Sequence, residues 1–362
     1  MHRQSFLIKC KTILLVVLFT ATTLLSAPAT AHASIASILL GGVVQYTYLK
    51  KTLTNMHYNE NDKILDNFKK EYGVNHDETA NRQLDSVMTR LLASIDPQGK
   101  IKPPFSWFVN NQTTFNAFCG LGNTVSVNIG LFQELNYNED ELAFVLAHEL
   151  THGLQQHSLK SLPKVVSLSV AQALYQEKNP NVASAITTTI ISRQLIATHT
   201  TMPQEREADA NSFTYAVNAG YNPGAGAAIW ARISAKNGGK TRSTFENIIN
   251  PNDHPTNQER VNSFSERLTE YSHNKVRVKQ NTVFVNDQPW VTPLAANGLL
   301  AEERAYFIAG SLATVFHEIP AGKPCIVKNG SLTMNGEAIM DPIHTEKSPA
   351  ELAEQLNRIL GF

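Results

Sequence analysis

The sequence predicts an α+β protein: a mostly helical domain with a small β-sheet, followed by a small β-rich α+β domain. Three observations predict it. Apolar residues recur at helical spacing through most of residues 78–236. Two short runs rich in β-branched and aromatic residues, 105–109 and 124–129, read as strands among those helices. After about Tyr271 the pattern changes to alternation punctuated by Asn-Asp and Asn-Gly turns.

The chain has 362 residues and is 42% apolar, enough for two domains with a buried core. Lysine plus arginine equals aspartate plus glutamate, 31 each. Nucleic-acid binding demands a basic excess, so that function class is excluded.

Taken in order, the first element is a secretory signal peptide over residues 1–33. Arg3, Lys9 and Lys11 precede an apolar run from Thr12 to Leu25, and Ala31-His32-Ala33 supplies a small-residue cleavage site. The run is shorter than the roughly 20 residues a spanning helix needs. The mature chain is therefore expected in the periplasm or cell envelope of a bacterium. Residues 35–49 are again apolar and too short to span. A helix docked on the protein's own core is the favoured reading there, and peripheral membrane contact is the other. Cys10 leaves with the signal, so Cys119 and Cys325 remain, either bridged or as two buried thiols.

Residues 34–272 form the first domain of the mature chain. Leu84, Val87, Met88, Leu91 and Leu92 share one helical face over residues 78–95, and Pro97 stops that helix. Asn138 with Glu141 fits an N-cap and capping box at the head of a strongly patterned helix. Residues 164–200 read as two apolar helices, and further helices run from Gln204 to Gly220 and from Gly224 to Lys236. Residues 273–362 form the second domain. Its strands alternate over 276–285 and 331–334, helices follow near 299–315 and 348–360, and the two halves suggest a weak duplication.

The chemistry concentrates in His148-Glu149-Leu150-Thr151-His152, an H-E-x-x-H sequence. Histidines four apart on a helix project from one face and can grip one zinc ion, while the glutamate between them reaches the attacking water. Catalytic zinc needs a third protein ligand and an open fourth position. Candidates downstream are His157, His199, Glu205, Glu207 and His254. Continued along the same helix, His157 falls about 140° round from His152 and points elsewhere. Glu205 is favoured because Asp209 shares its helical face at i, i+4. One of these carboxylates can bind the metal while the other accepts the Nδ1–H of a ligand histidine.

With those residues in place, the sequence resembles the gluzincin-type metallopeptidases that include the HtpX heat-shock protease, the CAAX prenyl protease and the periplasmic BepA-like proteases. The resemblance rests on Asn116-Ala117-Phe118 followed by 125–130, on E-D-E-L-A-F-V-L-A-H-E-L-T-H over 139–152, on Glu205 to Asp209, and on His254-Pro255 with Arg260. It spans about residues 55–270 and implies a zincin-like fold, one Zn²⁺ per chain, and Glu205 as third ligand. Membrane-embedded members carry spanning helices that this chain lacks, which implies the soluble, exported branch. Cys119 stands where the family has a small apolar residue.

The expected function is a zinc endopeptidase acting on polypeptides in the envelope, in quality control or processing. Glu149 acts as general base and then acid. His254 and Arg260 are the candidate donors to the developing oxyanion, and His254 is also a candidate occupant of the open zinc position at rest. Val125, Ser126 and Val127 are expected to offer a strand edge to extended substrate. The alternatives are a peptide-binding, chaperone-like factor and a zinc-stabilised structural protein, neither of which needs Glu149.

Overall fold

The computed structural model describes residues 46–47, 50–161, 201–236 and 255–362. The chain divides into two units, Met1–Leu53 and Thr54–Phe362. In the first, residues 46–47 and 50–53 are described, all helical. The expected signal peptide, most of the 35–49 segment, the apolar helices of 164–200 with His199, and His254 all lie outside the described residues. Among the described residues, no helix is long and apolar enough to cross a membrane.

The second unit opens on helical residues 54–59, followed by α1 (Asn61–Tyr72) and α2 (Glu78–Ile95). The Asp77 side chain caps α2 by accepting from Ala80 N at 2.8 Å. Leu84, Val87, Met88 and Leu91 give α2 the buried face expected of them. A three-stranded sheet follows, made of β1 (Ser106–Asn110), β2 (Ala117–Cys119) and β3 (Thr124–Asn128) in the order β1-β3-β2. β1 runs parallel to β3, with Ser106 opposite Thr124, and β2 runs antiparallel to it, with Ala117 opposite Val127. Buried asparagines pin this register: Asn110 Nδ2 donates to Ser126 Oγ and Asn128 Oδ1, both at 2.8 Å.

That topology corrects one expectation. Val125, Ser126 and Val127 lie in the central strand, so both of their hydrogen-bonding sides are taken by neighbours. The cause is the Asn-Ala-Phe segment, which folds back as a third strand and becomes the edge.

Helix α3 (Ile129–Glu134) leads into α4 (Glu139–Leu154). Gly130 is required at the start of α3, because a Cβ there would sit 2.2 Å from Thr113 O. The Asn138 side chain caps α4, accepting from Glu141 N at 3.0 Å. The return half of the expected capping box is replaced, since the Glu141 carboxylate turns inward to Arg232 Nη2 at 2.8 Å. α4 packs against α2, β2, α5 (Met202–Asn218) and α6 (Ala225–Lys236); α7 (Asn257–Tyr271) then packs on α6.

The remaining chain is two meanders, each followed by a helix: β4 (Val276–Lys279), β5 (Thr282–Val285), β6 (Gln288–Val291) and α8 (Ala301–Glu318), then β7 (Cys325–Lys328), β8 (Ser331–Met334), β9 (Glu337–Met340) and α9 (Pro349–Leu360). Each strand of the second meander starts 49 residues after its counterpart: Val276 and Cys325, Thr282 and Ser331, Gln288 and Glu337. Register irregularities at Val283/Phe284 and Leu332/Thr333 repeat at the same offset. Positive φ at Gln280-Asn281, Asn286-Asp287, Asn329-Gly330 and Asn335-Gly336 gives four tight two-residue turns. The continuous alternation expected over 276–285 is therefore a hairpin, folded at Gln280-Asn281. The two halves interlock, because α8 packs on β4, β5 and β9 while α9 packs on β7, β8 and β6. Trp290 Nε1 donates across this seam to Leu352 O at 3.0 Å. Cys119 and Cys325 are both free and buried.

α8 also reaches the first half of the unit. The Arg232 guanidinium on α6 donates to Glu303 on α8, to Glu141 on α4 and to Glu134 O. All three charged side chains are buried.

Candidate metal centre

Helical spacing brings His148 and His152 onto one face of α4, with their Nε2 atoms 3.0 Å apart. α5 crosses this face and presents Glu205, whose Oε2 lies 3.5 Å from His148 Nε2 and whose Oε1 lies 3.4 Å from His152 Nε2. One ligand atom from each residue falls within 4.8 Å of the others, a grouping that could hold a metal ion. Metal–ligand bonds of about 2.0–2.1 Å in tetrahedral geometry require ligand atoms about 3.3 Å apart. The three observed separations straddle that figure, and two imidazoles with a carboxylate are the donor types such an ion takes. The residues fit the group.

The surroundings orient these donors. Asp209, one turn beyond Glu205, places Oδ1 2.9 Å from His148 Nδ1. Arg260 reaches in from α7, donating from Nη2 to Glu205 Oε2 at 2.9 Å, with Nε 3.1 Å from Asp209 Oδ2. Its guanidinium carbon sits 4.2 Å from the Trp230 ring centroid, which supports it from below. Nη2 and Nε of Arg260 are thus both turned to carboxylates.

Electrostatics here is governed by burial and opposed charge. Burial works against the His148 imidazolium, but hydrogen bonds to Asp209 and Glu205 and the charges of both outweigh it and lift the ring to about 10. Burial pushes His152 down to about 3 against the pull of Glu205. Burial raises Glu149 to about 7, with the charge of His148 opposing and that of Glu205 adding.

Glu149 is anchored to the sheet, its Oε2 accepting from Cys119 N at 2.9 Å. Gly120 N donates to Thr124 O and Asn128 N to Asn116 O. Phe118 therefore turns its backbone groups to β3, and Ala117 and Cys119 turn theirs outward. Of these, Cys119 N–H is held by Glu149 and Cys119 O by Ser158 Oγ at 3.0 Å. The outward groups of Ala117 are the ones the cleft presents. Beyond the metal face the cavity is apolar, lined by Leu131, Phe144, Val145, Ile229, Trp230 and Phe264. Gly226 lets two of these rings close in, since a Cβ there would lie 2.6 Å from Phe264.

His157 departs from expectation. α4 ends at Leu154, Gln156 takes φ +55°, and a new helical turn over 157–161 swings His157 back. Its ring is buried, with Nδ1 2.9 Å from His152 Nδ1. The angular projection failed because it assumed one continuous helix. Trp230, Ser158 and the β2 edge were also missed; the Asn-Ala-Phe run was the one signal that could have found the edge. His254 lies outside the described residues.

Comparison with known proteins agrees with this geometry. The family model described as Peptidase family M48 matches residues 78–268. The putative beta-barrel assembly-enhancing protease of Vibrio cholerae is 26% identical over 206 residues, covering 55% of this chain and 41% of that protein. The beta-barrel assembly-enhancing protease of Escherichia coli K12 is 27% identical over 156 residues, 41% of this chain and 31% of that protein. That of Yersinia pestis is 26% identical over the same length. The chain spans less than half the length of these curated relatives.

Proposed function

We propose that this chain, which belongs to peptidase family M48, is a zinc endopeptidase that cleaves exported or envelope polypeptides. The observation that carries the reading is the convergence of His148 Nε2, His152 Nε2 and the Glu205 carboxylate from two helices, with Glu149 in the same cavity. These three residues would hold one zinc ion. When bound, zinc supplies a Lewis acid that acidifies water and polarises a carbonyl.

The chain's own residues do the rest. Glu149 is the general base and acid. Cys119 N–H fixes its Oε2, and the other oxygen takes the proton from water and passes it to the leaving amine. Burial raises this carboxyl above the ordinary glutamate range, which strengthens it as a base. Asp209 fixes the His148 tautomer, with Nδ1–H donated to Oδ1. Arg260 holds Glu205 and Asp209 through Nη2 and Nε, and it remains with His254 a candidate donor to the oxyanion. Substrate in extended form adds to β2 through the outward N–H and C=O of Ala117, and an apolar side chain enters the cavity beyond the metal face.

The named relatives are proteases that enhance β-barrel assembly, and the sequence opens on a signal-like segment. Both support a role in envelope protein quality control or processing. The proposed organisation is a signal peptide (1–33), a peptidase domain (34–272) and a C-terminal domain (273–362).

The test is to purify the mature chain, measure its zinc content, and compare cleavage of an unfolded protein by wild type and Glu149→Gln. The reading predicts about one zinc in both and a loss of about 10²–10⁴-fold in turnover in the variant. A peptide-binding factor would show equal function in the two proteins.

A further inference from the structure

Resting on the zinc-peptidase reading, we propose that His157 is a positioning residue of the metal centre, the second support that fixes His152 as Asp209 fixes His148. Nothing in the H-E-x-x-H motif or its carboxylate partner assigns it.

The geometry is specific. Both candidate ligand histidines direct Nε2 at the shared point, so in the neutral ring each carries its proton on Nδ1. For His148 that proton meets a carboxylate oxygen of Asp209. For His152 the atom 2.9 Å away is Nδ1 of His157. To accept there, His157 must carry its own proton on Nε2, and that atom faces Glu207 Oε2 at 3.5 Å. The chain of contacts is therefore Glu207 to His157 to His152 to the metal point. Glu205, Glu207 and Asp209 all belong to α5, so one helix supplies a ligand and both of its supporting carboxylates.

His157 is built into this place. The break after Leu154 and the positive φ of Gln156 redirect the chain, and the His157 ring meets that of His152 edge-on, centroids 5.0 Å apart at 71°. The neighbouring Ser158 hydroxyl donates to Cys119 O, which ties the same turn to the strand that holds Glu149. A ring that merely filled space would need none of these nitrogen positions. Partners of this kind hold ligand orientation and basicity, and losing one typically weakens metal binding about 10–100-fold.

The test uses the full mature chain and two readouts besides activity: zinc affinity by chelator competition, and the absorption spectrum of the cobalt(II)-substituted protein. Folding is read separately from the melting temperature of the metal-free form. His157→Leu keeps the bulk and removes the acceptor; it should bind zinc about 10–100-fold more weakly and shift the cobalt bands. His157→Asn restores an acceptor and should return to within about threefold of wild type. A folded His157→Leu protein with wild-type zinc affinity and an unchanged cobalt spectrum overturns the proposal. Should His157→Leu fail to fold, His157→Asn decides, and a loss of about tenfold or more in a folded protein overturns it. A wild type that holds no zinc at all removes the peptidase reading itself, and this inference with it.

Discussion

Replacing Arg232 with methionine should destabilise the protein more than any single change at its surface. Arg232 is 2% exposed, and it is bonded to Glu141, which is fully buried, and to Glu303, which is 1% exposed. It also donates to Glu134 O at 2.9 Å. Arg232→Met leaves two carboxylates in the interior without a cation. Removing one partner of a buried ion pair costs about 3–5 kcal/mol. In a protein of this size that is a fall of roughly 6–20 °C in melting temperature. Burial raises Glu141 to about 8, with Arg232 opposing and Glu303 and Asp140 adding.

The sign of the pH effect follows. Glu141 binds its proton more tightly in the folded state than in the unfolded chain. Its contribution is complete below the ordinary glutamate range and is lost as pH rises through about 8. Glu141→Gln should stay within about 1 kcal/mol of wild type, keeping a neutral partner for Arg232. It should also flatten the decline in stability between about pH 5 and 8. Urea unfolding of the zinc-loaded proteins across that range measures both effects. Arg232→Met within about 1 kcal/mol of wild type would refute the claim that this cluster ties α4, α6 and α8 together.

Three further outcomes are expected. Ala117→Pro removes one outward donor of the edge strand, where proline is tolerated. It should raise KM for extended peptides by about 2–12-fold, the worth of one hydrogen bond, with zinc content unchanged; steady-state kinetics decides. Asp209→Asn weakens the support of His148 and should lower zinc affinity by about 10–100-fold, read by chelator competition. Gly130→Ala puts a methyl against Thr113 O and should cost about 1–3 kcal/mol in denaturant unfolding.

The reach of the sequence is uneven, for physical reasons. His148, His152, Glu205 and Asp209 could be placed in faces because fixed spacing on a helix sets direction before any tertiary contact forms. The same logic misplaced His157, because the helix break at Gln155-Gln156 carries no proline and no glycine at the turn itself. Asn329-Gly330 and Asn335-Gly336 mark their hairpins plainly, whereas Gln280-Asn281 adopts the same turn without an obvious signal. Strand order was not legible: nothing local in Val125–Val127 tells that Ala117–Cys119 will cover one side and β1 the other. The Arg232–Glu303 contact joins residues 71 apart in sequence, and only the packing of α8 on α6 reveals it.

In the proposed enzyme α4 and α5 together would coordinate one ion and leave it an exchangeable fourth position. A crystal structure of the zinc-loaded chain, with the metal located by anomalous scattering, tests this most directly. It should show one zinc bonded at about 2.0–2.2 Å to His148 Nε2, His152 Nε2 and a Glu205 oxygen, with the fourth position left to water or to a displaceable His254. Zinc bound elsewhere, or a Glu205 carboxylate out of bonding reach of it, would contradict the account.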